Sequence, residues 1–249
     1  MIVSIESPAD LAALQHIGQI VGEILQVLRA SVQPGVTTAK LDAIAGEEMK
    51  KRGAQSSPKV VYQFPGEMCI SVNDEVVHGV PGSRQLKNGD IVKLDLTAQK
   101  DGYVADACIS VAVGEISGRA QKLMACAERA FQQALTVARA GNAVNEIGRI
   151  VEHEVRRNGF DVVRALTGHG VGRTIHEKPE VANYYEPRNR AVLTDGLVLT
   201  IEPIITAGRD DVYTAADRWT VKTRDRALSA HFEHTLVITA GEPIILTAA

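Results

Sequence analysis

Asp95 and Asp106 are two carboxylates on neighbouring β-type segments, and the spacing between them decides whether they can act together. The residues between them include Asp101 and Gly102, a pair that strongly favours a two-residue hairpin loop. If that pair forms the loop, Asp95 lies diagonal to Asp106 on one face of the hairpin. If Lys100 and Asp101 form it, the two carboxylates lie directly opposite each other. A three-residue loop without a bulge would send them to opposite faces and leave them without a shared role.

Three further ligand-type side chains occur in the second half of the sequence. Glu202 ends an apolar, strand-like run, and a carboxylate buried there should find a cation or bind a proton. Glu233 lies in an alternating run that indicates a strand face. His169 stands in a loop between Gly168 and Gly170, which allow the backbone to approach a neighbour closely. The glycine spacing of this loop does not fit a dinucleotide-binding motif.

These residues form an oxygen-rich set of four carboxylates and one imidazole. Such a set suits one or two divalent ions of manganese, iron, cobalt or zinc. A structural zinc site would be expected to use cysteine, and Cys69, Cys108 and Cys126 are not spaced for one. The residues alone leave two alternatives open: a shared metal centre, or a hairpin in which one Asp is exposed and the pair has no role.

The elements that must position these residues fall into two similar halves. Ser7 and Pro8 predict the start of a first helix, and a second helix is expected from Thr37 or Thr38 to Gly53. Strand-type segments then run over 59–114, helical segments over 117–140 and 144–158, and strand-type segments again after 159. This order predicts an α+β fold. We expect a single domain, 1–249, built from related halves of about 1–115 and 116–249.

Composition limits the function classes. The chain has 249 residues, a net charge of −3 and 4% aromatic residues, which is unfavourable for a nucleic-acid-binding surface. No apolar run approaches the roughly 20 residues of a membrane span. Residues 1–10 lack the basic and apolar regions of a secretory signal. Three widely spaced cysteines indicate a reducing compartment, so we expect a cytoplasmic protein.

Several motifs together resemble the methionine aminopeptidases over essentially the whole chain. They are TGHGVGRTIHE from Thr167 to Glu177, TIEP from Thr200 to Pro203, NDEVVHGVPG from Asn73 to Gly82, the surroundings of Asp95 and Asp106, and SAHFEHTLVIT from Ser229 to Thr239. The chain is similar to the short, bacterial-like type I form, without an N-terminal zinc-finger extension or a long insertion. The resemblance implies the pita-bread fold of peptidase family M24: two pseudo-symmetric α+β halves around a central antiparallel sheet.

The resemblance also implies a site and a mechanism. Two divalent metal ions would be held by Asp95, Asp106, His169, Glu202 and Glu233, with Asp106 and Glu233 bridging them. Hydroxide activated by the two metals would attack the first peptide bond, and Glu202 would accept the water proton. His176 would donate to the oxyanion and His78 would orient the scissile amide. Of the other histidines, His16 and His153 are expected on helix surfaces, and His231 and His234 as strand neighbours of Glu233.

A small apolar pocket would accept the methionine side chain. By position in the family, its walls are expected to include Phe64, Cys69, Trp219, Ile175 and, with less support, Tyr62. Ile175 stands where the family often has an aromatic residue, and Gln63 replaces a usual glycine. Both departures concern the pocket rather than the metal ligands.

The expected function is therefore a metalloprotease: a cytoplasmic hydrolase that removes the N-terminal methionine of nascent proteins and peptides. The resemblance further implies a monomer that acts near the ribosome, with no membrane or specific nucleic-acid partner. One alternative is an aminopeptidase or dipeptidase of the same fold that cleaves before proline, although such relatives usually carry an additional N-terminal domain. The other is a non-catalytic peptide-binding module, which would be expected to have lost metal ligands.

Overall fold

The computed structural model describes residues 5–248. Residues 1–4, on which the argument against a secretory signal partly depends, lie outside this range. The helices are α1 (Pro8–Ser31), α2 (Thr38–Lys51), α3 (Ser57–Tyr62), α4 (Gly118–Leu135) and α5 (Asn145–Arg157). The strands are β1 (Gln55–Ser56), β2 (Cys69–Val72), β3 (Glu75–Val77), β4 (Ile91–Lys100), β5 (Tyr103–Ala112), β6 (Asp161–Val162), β7 (Thr167–Gly170), β8 (Glu177–Ala182), β9 (Val198–Ile201), β10 (Ile204–Thr206), β11 (Val212–Thr214), β12 (Val221–Thr223), β13 (Ser229–His231), β14 (Glu233–Val237) and β15 (Ile244–Ile245).

The central element is an antiparallel sheet of nine strands within the described residues. Its main path is β1-β4-β5-β14-β9-β7-β8, with β2 added beside β4 and β15 beside β14. Two smaller sheets, β13-β10-β6 and β11-β12-β3, lie off this path. The pairing of β5 with β14 joins the early hairpin to the late strands, so residues far apart in sequence share one sheet face. This confirms the expected α+β, pita-bread architecture.

The hairpin β4–β5 has the register that its turn residues predict. Lys100 pairs with Tyr103, so Asp101 and Gly102 form the two-residue loop. Their φ angles are 51° and 82°, as the tight hairpin turn requires. Thr97 pairs with Asp106, and the first of the two alternative registers is the correct one.

Helix α1 begins as its sequence predicts and covers the sheet. The side chain of Ser7 accepts a hydrogen bond from Asp10 N, and Asp10 bonds back to the cap, forming a capping box. With its length and a mean hydropathy of 1.3, α1 is long and apolar enough to cross a membrane. Judged by length and hydropathy alone, the prediction that the sequence contains no such segment was wrong. Half of the apolar stretch of this helix is buried inside the protein. Ile17, Val21 and Ile24 pack in the core against β4 and β5. This burial is typical of a core helix in a globular protein.

Two large apolar cores lie side by side against the central sheet. The first packs α1 and α2 against β2, β4 and β5, whereas the second packs α4 and α5 against β9, β14 and the small β13-β10-β6 sheet. Phe232 contacts both cores. The arrangement has one helix pair for each half of the chain, and the division near residue 115 remains a prediction.

Three elements differ from the sequence-based expectation. Helix α4 ends at Leu135 rather than Ala140, and the chain turns at Thr136, whose hydroxyl donates to the Gln133 carbonyl. Helix α3 lies in a region expected to be strand-rich. Strand β7 contains His169, which was expected in a loop.

Candidate active site

One cavity of about 880 Å³ opens between the central sheet and the surrounding loops. All five expected metal ligands line it: Asp95, Asp106, His169, Glu202 and Glu233. Ligand atoms of Asp106, His169 and Glu233 lie within 4.8 Å of one another. The Nε2 atom of His169 is also 3.6 Å from Glu202 Oε1. The structure therefore brings together the residues that sequence alone leaves scattered.

Part of this cluster lies in a row across three adjacent strands, β4, β5 and β14. Cys108 on β5 pairs with Asp95 on one side and with Glu233 on the other. Opposite residues of antiparallel strands share a face, so the two carboxylates flank the small Cys108 side chain. Asp106 lies two residues before Cys108 on the same face. Its backbone N–H donates to the Thr235 hydroxyl (2.9 Å), which in turn donates to the Asp106 carbonyl (2.7 Å).

His169 is oriented by its neighbours so that one ring nitrogen is free to bind a ligand. Its Nδ1 atom lies 2.9 Å from the Gly170 carbonyl oxygen. Because a carbonyl oxygen only accepts, Nδ1 carries the proton and the lone pair of Nε2 faces the carboxylates. A Cβ atom on Gly168 would lie 2.7 Å from the Thr200 carbonyl, and one on Gly170 would clash with Lys178. The two glycines thus permit the close approach that the sequence predicts.

Glu202 lies at a break in the strand run. Strand β9 ends at Ile201, and β10 begins after Pro203 in a different sheet. The Thr200 hydroxyl donates to Glu202 Oε1 (2.8 Å), and the Asn183 side chain donates to the Glu202 carbonyl (2.9 Å). These bonds direct the carboxylate into the cavity from a rigid strand end.

The electrostatics of the cluster require a positive partner. Burial, reinforced by the neighbouring carboxylates, raises the pKa values of Asp95, Glu202 and Glu233 well above their usual range. Burial raises the pKa of Asp106 to about 6. Burial also lowers the pKa of His169, which keeps its imidazole neutral. Four close carboxylates cannot all be ionised at neutral pH unless cations compensate them.

The residues present fit divalent metal ions. Oxygen and imidazole donors of this kind suit manganese, iron, cobalt or zinc. Asp106 Oδ1 is buried and has no hydrogen-bond partner among residues 5–248. A buried carboxylate oxygen without a partner is unusual in proteins, and a metal ligand explains it.

His78 and His176, the two expected substrate-facing histidines, line the same cavity. His78 directly follows β3 with a φ of 57°, an uncommon conformation for a non-glycine residue and one often found at functional sites. The rings of His176 and His169 are in edge contact, with centroids 4.3 Å apart. Tyr62 Oη lies 2.6 Å from His176 Nδ1.

All five expected pocket residues line the cavity: Tyr62, Phe64, Cys69, Ile175 and Trp219. Phe64 and Trp219 pack edge to face with centroids 5.2 Å apart, and Phe64, Cys69 and Ile175 are buried. Tyr62 is 43% exposed and forms the rim. These residues give the cavity an apolar side beside the carboxylate cluster.

His231 also lines the cavity, although the sequence does not predict it as a site residue. His231 is 2% exposed and lines the cavity beside Glu202 and Glu233. The sequence does contain a pattern that could have indicated His231. It lies two residues before Glu233 in an alternating run, so both side chains are expected on one face of the strand. The remaining histidines agree with expectation: His16 and His153 are exposed on helices, and His234 lies on β14.

Comparison with known proteins identifies the family. The model of metallopeptidase family M24 matches residues 12–240. The chain belongs to metallopeptidase family M24. Methionine aminopeptidase 2 of Bacillus subtilis (strain 168) is 45% identical over 240 residues, 96% of each chain. The crystal structure of methionine aminopeptidase from Rickettsia prowazekii has a TM-score of 0.95 and 34% identity, and covers 99% of this chain and 100% of that one.

A more distant solved structure shares the fold alone. The Xaa-Pro dipeptidase from Bacillus anthracis has a TM-score of 0.79 at 21% identity, covering 98% of this chain and 62% of that one. Family membership and the ligand set together indicate a peptidase that uses divalent metal.

Proposed function

We propose that this chain is a methionine aminopeptidase that hydrolyses the first peptide bond of peptides and nascent proteins beginning with methionine. The observation that carries the proposal is the convergence of five metal-ligand side chains and two histidines in one cavity with an apolar wall. Relatives that bear this name and align over nearly their whole length support it, one of them at 45% identity.

The proposed cofactor is a pair of divalent ions, of manganese, iron, cobalt or zinc. Asp95, Asp106, His169, Glu202 and Glu233 would hold them. When bound, such a pair supplies Lewis acidity towards the peptide carbonyl and lowers the pKa of water to near neutrality.

The side chains supply the proton transfers and the orientation. Glu202 is the proposed acceptor of the water proton, since its carboxylate lines the cavity and is held there by the Thr200 hydroxyl. His176 is the proposed donor to the developing oxyanion, through Nε2, because its Nδ1 faces the Tyr62 hydroxyl. His78 is proposed to contact the scissile amide and orient it.

Selectivity for methionine is assigned to the apolar wall. Phe64 and Trp219 present aromatic surface, which suits a polarizable thioether. Cys69 and Ile175 complete this wall, and Tyr62 stands at its rim. The protein is further proposed to act in the cytoplasm as a monomer, on chains emerging from the ribosome.

A direct assay tests the proposal. The protein, loaded in turn with Mn²⁺, Fe²⁺ and Co²⁺, is offered Met-Ala-Ser and a peptide with proline in second position after a residue other than methionine. Release of methionine from Met-Ala-Ser is the expected result. Preferred cleavage of the X-Pro peptide would transfer the chain to the X-Pro class, and no hydrolysis with any metal would favour a binding module.

A single substitution tests the division between metal ligands and substrate-facing residues. His78→Ala should keep its metal content and lose turnover by about 10²-fold or more, because orientation of the reacting bond is lost. Elemental analysis and steady-state kinetics on the same preparation measure both. Loss of metal from a folded His78→Ala variant, or full activity, would refute the assigned role.

A further inference from the structure

The imidazole of His231 is buried in the site but has no hydrogen-bond partner. Only 2% of the residue is exposed, and within residues 5–248 neither Nδ1 nor Nε2 has a partner. A neutral imidazole has one N–H donor and one acceptor nitrogen, and buried polar atoms are nearly always paired. The burial of this ring without hydrogen bonds therefore requires an explanation other than packing.

One nitrogen of this ring faces two carboxylates of the proposed metal centre. His231 Nε2 lies 3.4 Å from Glu233 Oε2 and 3.8 Å from Glu202 Oε2. The other oxygen of Glu202 accepts from Thr200 and lies 3.6 Å from His169 Nε2. Glu202 thus lies between two imidazoles: its Oε1 is near His169 and its Oε2 is near His231.

The backbone of His231 is fixed, so the ring is held in this place. Its N–H donates to the Ser110 hydroxyl (3.0 Å), and the same hydroxyl donates to its carbonyl (2.8 Å). His231 also ends β13, where it pairs with Ile204 just after the Glu202 break. Closing the gap to Glu233 from 3.4 Å needs a shift of only about half an ångström to reach an ordinary N–H···O length.

We propose that His231 is a positioning residue of the metal centre, whose Nε2–H donates to the Glu233 carboxylate and steadies Glu202 beside it. Carboxylates that bind metals are usually held by outer hydrogen-bond donors, and loss of such a donor typically weakens metal affinity by about 10–100-fold. The inference rests on the proposed metal centre of the aminopeptidase, but it concerns metal binding and not peptide selectivity.

Mn²⁺ affinity of the metal-free protein, measured by titration calorimetry without substrate, tests the proposal. His231→Gln keeps an N–H donor of similar reach, so its affinity should stay within about threefold of wild type. His231→Leu and His231→Asn should bind Mn²⁺ about 10–100-fold more weakly, because the first lacks the donor and the second is one methylene shorter. The matched control is His234→Gln, whose ring bonds to Thr247 (2.8 Å) and should not affect Mn²⁺ binding.

The outcomes separate the possible roles. Wild-type affinity in both His231→Leu and His231→Asn would overturn the proposal, and the asparagine variant keeps the test valid if the leucine variant does not fold. Equal weakening in the glutamine variant, with loss of a nitrogen coupling from the electron spin-echo spectrum of bound Mn²⁺, would make His231 a direct ligand instead. If Mn²⁺ affinity depends on His231 as proposed but the wild-type protein releases no methionine, the proposed function is refuted and this inference stays intact.

Discussion

His176 shows how a single contact can set the chemistry of a residue. Its Nδ1 lies 2.6 Å from the phenolic oxygen of Tyr62, and a phenol is a good hydrogen-bond donor. If the hydroxyl donates, Nδ1 is the acceptor and the proton of the neutral ring is on Nε2. That tautomer is the one required for donation to an oxyanion.

Replacing Tyr62 with Phe should therefore reduce turnover without affecting metal binding. Loss of one hydrogen bond of about 1 kcal/mol corresponds to a decrease of roughly five- to tenfold in kcat. The change in KM should be smaller, because His176 donates to the oxyanion mainly in the transition state. Peptide kinetics and metal analysis measure the two quantities. Tyr185→Phe, at an exposed tyrosine that does not line the cavity, is the matched control. An unchanged kcat for Tyr62→Phe would exclude the orienting role.

Residue type and spacing indicated the candidate ligands, whereas the roles of the site residues came from the family resemblance. Asp95, Asp106 and Glu202 could be selected because carboxylates at such apolar positions need a cation. Tyr62 was expected in the pocket, but its bond to His176 was not predicted, since 114 residues separate the two and only folding brings them together. His231 was read as a strand neighbour of Glu233, because sequence alone does not reveal which buried rings have no partner.

At the scale of elements, Lys93 connects two strands that carry the site. It is 1% exposed on β4, and its ammonium donates to the Asn73 carbonyl (2.8 Å) and the Ser229 hydroxyl (2.9 Å). Ser229 begins β13, which ends at His231. The ammonium thus joins the strand of Asp95 to the strand of His231.

Lys93→Met should destabilise the fold, because methionine fills the space but cannot donate to these oxygens. The Asn73 carbonyl keeps its bond from the Ser229 hydroxyl, so the cost is that of the lost ammonium hydrogen bonds, about 1–3 kcal/mol. Urea unfolding of the metal-free proteins measures the change, and Lys40→Met on the exposed surface of α2 is the control. If Lys93→Met were as stable as wild type, the ammonium would not be holding the two strands.

A second connection joins α1 to the loop before His176. The Asp10 carboxylate accepts from the Tyr103 hydroxyl (2.7 Å) and from Arg173 (2.6 Å), besides capping its own helix. These bonds, above all that from Tyr103, lower the pKa of Asp10 below its ordinary value of 3.8. A lowered pKa in the folded state means that ionised Asp10 stabilises the fold above about pH 4, and that this contribution is lost as the pH falls further.

Asp10→Asn should consequently be less stable than wild type by an amount that depends on pH. The difference in the free energy of unfolding should be constant between pH 5 and 8 and should narrow below about pH 4, where Asp10 binds a proton in the unfolded wild-type chain but stays ionised in the folded one. Urea unfolding at several pH values measures it, with Asp211→Asn as an exposed control. A difference that does not change with pH down to 3 would mean that the charge of Asp10 is not what stabilises the helix end.

The elements themselves were predictable where local signals are strong. The cap at Ser7 and the Asp101-Gly102 turn are short-range features, and both gave the correct helix start and strand register. Helix α3 was missed because it has only six residues, two of them β-branched valines. Strand β7 was missed because its sequence, TGHG, is poor in strand-forming residues and becomes a strand only by pairing with β8 and β9.

At the scale of the whole molecule, the cluster joins the two halves of the chain. Asp95 and Asp106 come from the hairpin of the first half, whereas His169, Glu202 and Glu233 come from the second. These donors are dispersed in the unfolded chain, so divalent ions should bind the native state alone and stabilise it. Without metal, the same carboxylates repel one another, and ionised Asp106, whose pKa burial raises to about 6, disfavours the folded state at neutral pH.

Metal removal and Asp106→Asn should therefore have opposite effects on stability. Mn²⁺ at about 100 times its Kd should stabilise the wild-type protein by about 2.7 kcal/mol. For a chain of this size, that gain raises Tm by roughly 5–10 °C. Removal of Mn²⁺ by a chelator should reverse the increase in Tm. Asp106→Asn should be at least as stable as wild type in chelator, since a repelling carboxylate is gone, but should gain little from Mn²⁺. Thermal unfolding monitored by circular dichroism measures both, and Asp211→Asn should respond to Mn²⁺ as wild type does. If wild type and Asp106→Asn gained equally from Mn²⁺, the ion would bind elsewhere, and the cluster would owe its compensation to bound protons instead of metal.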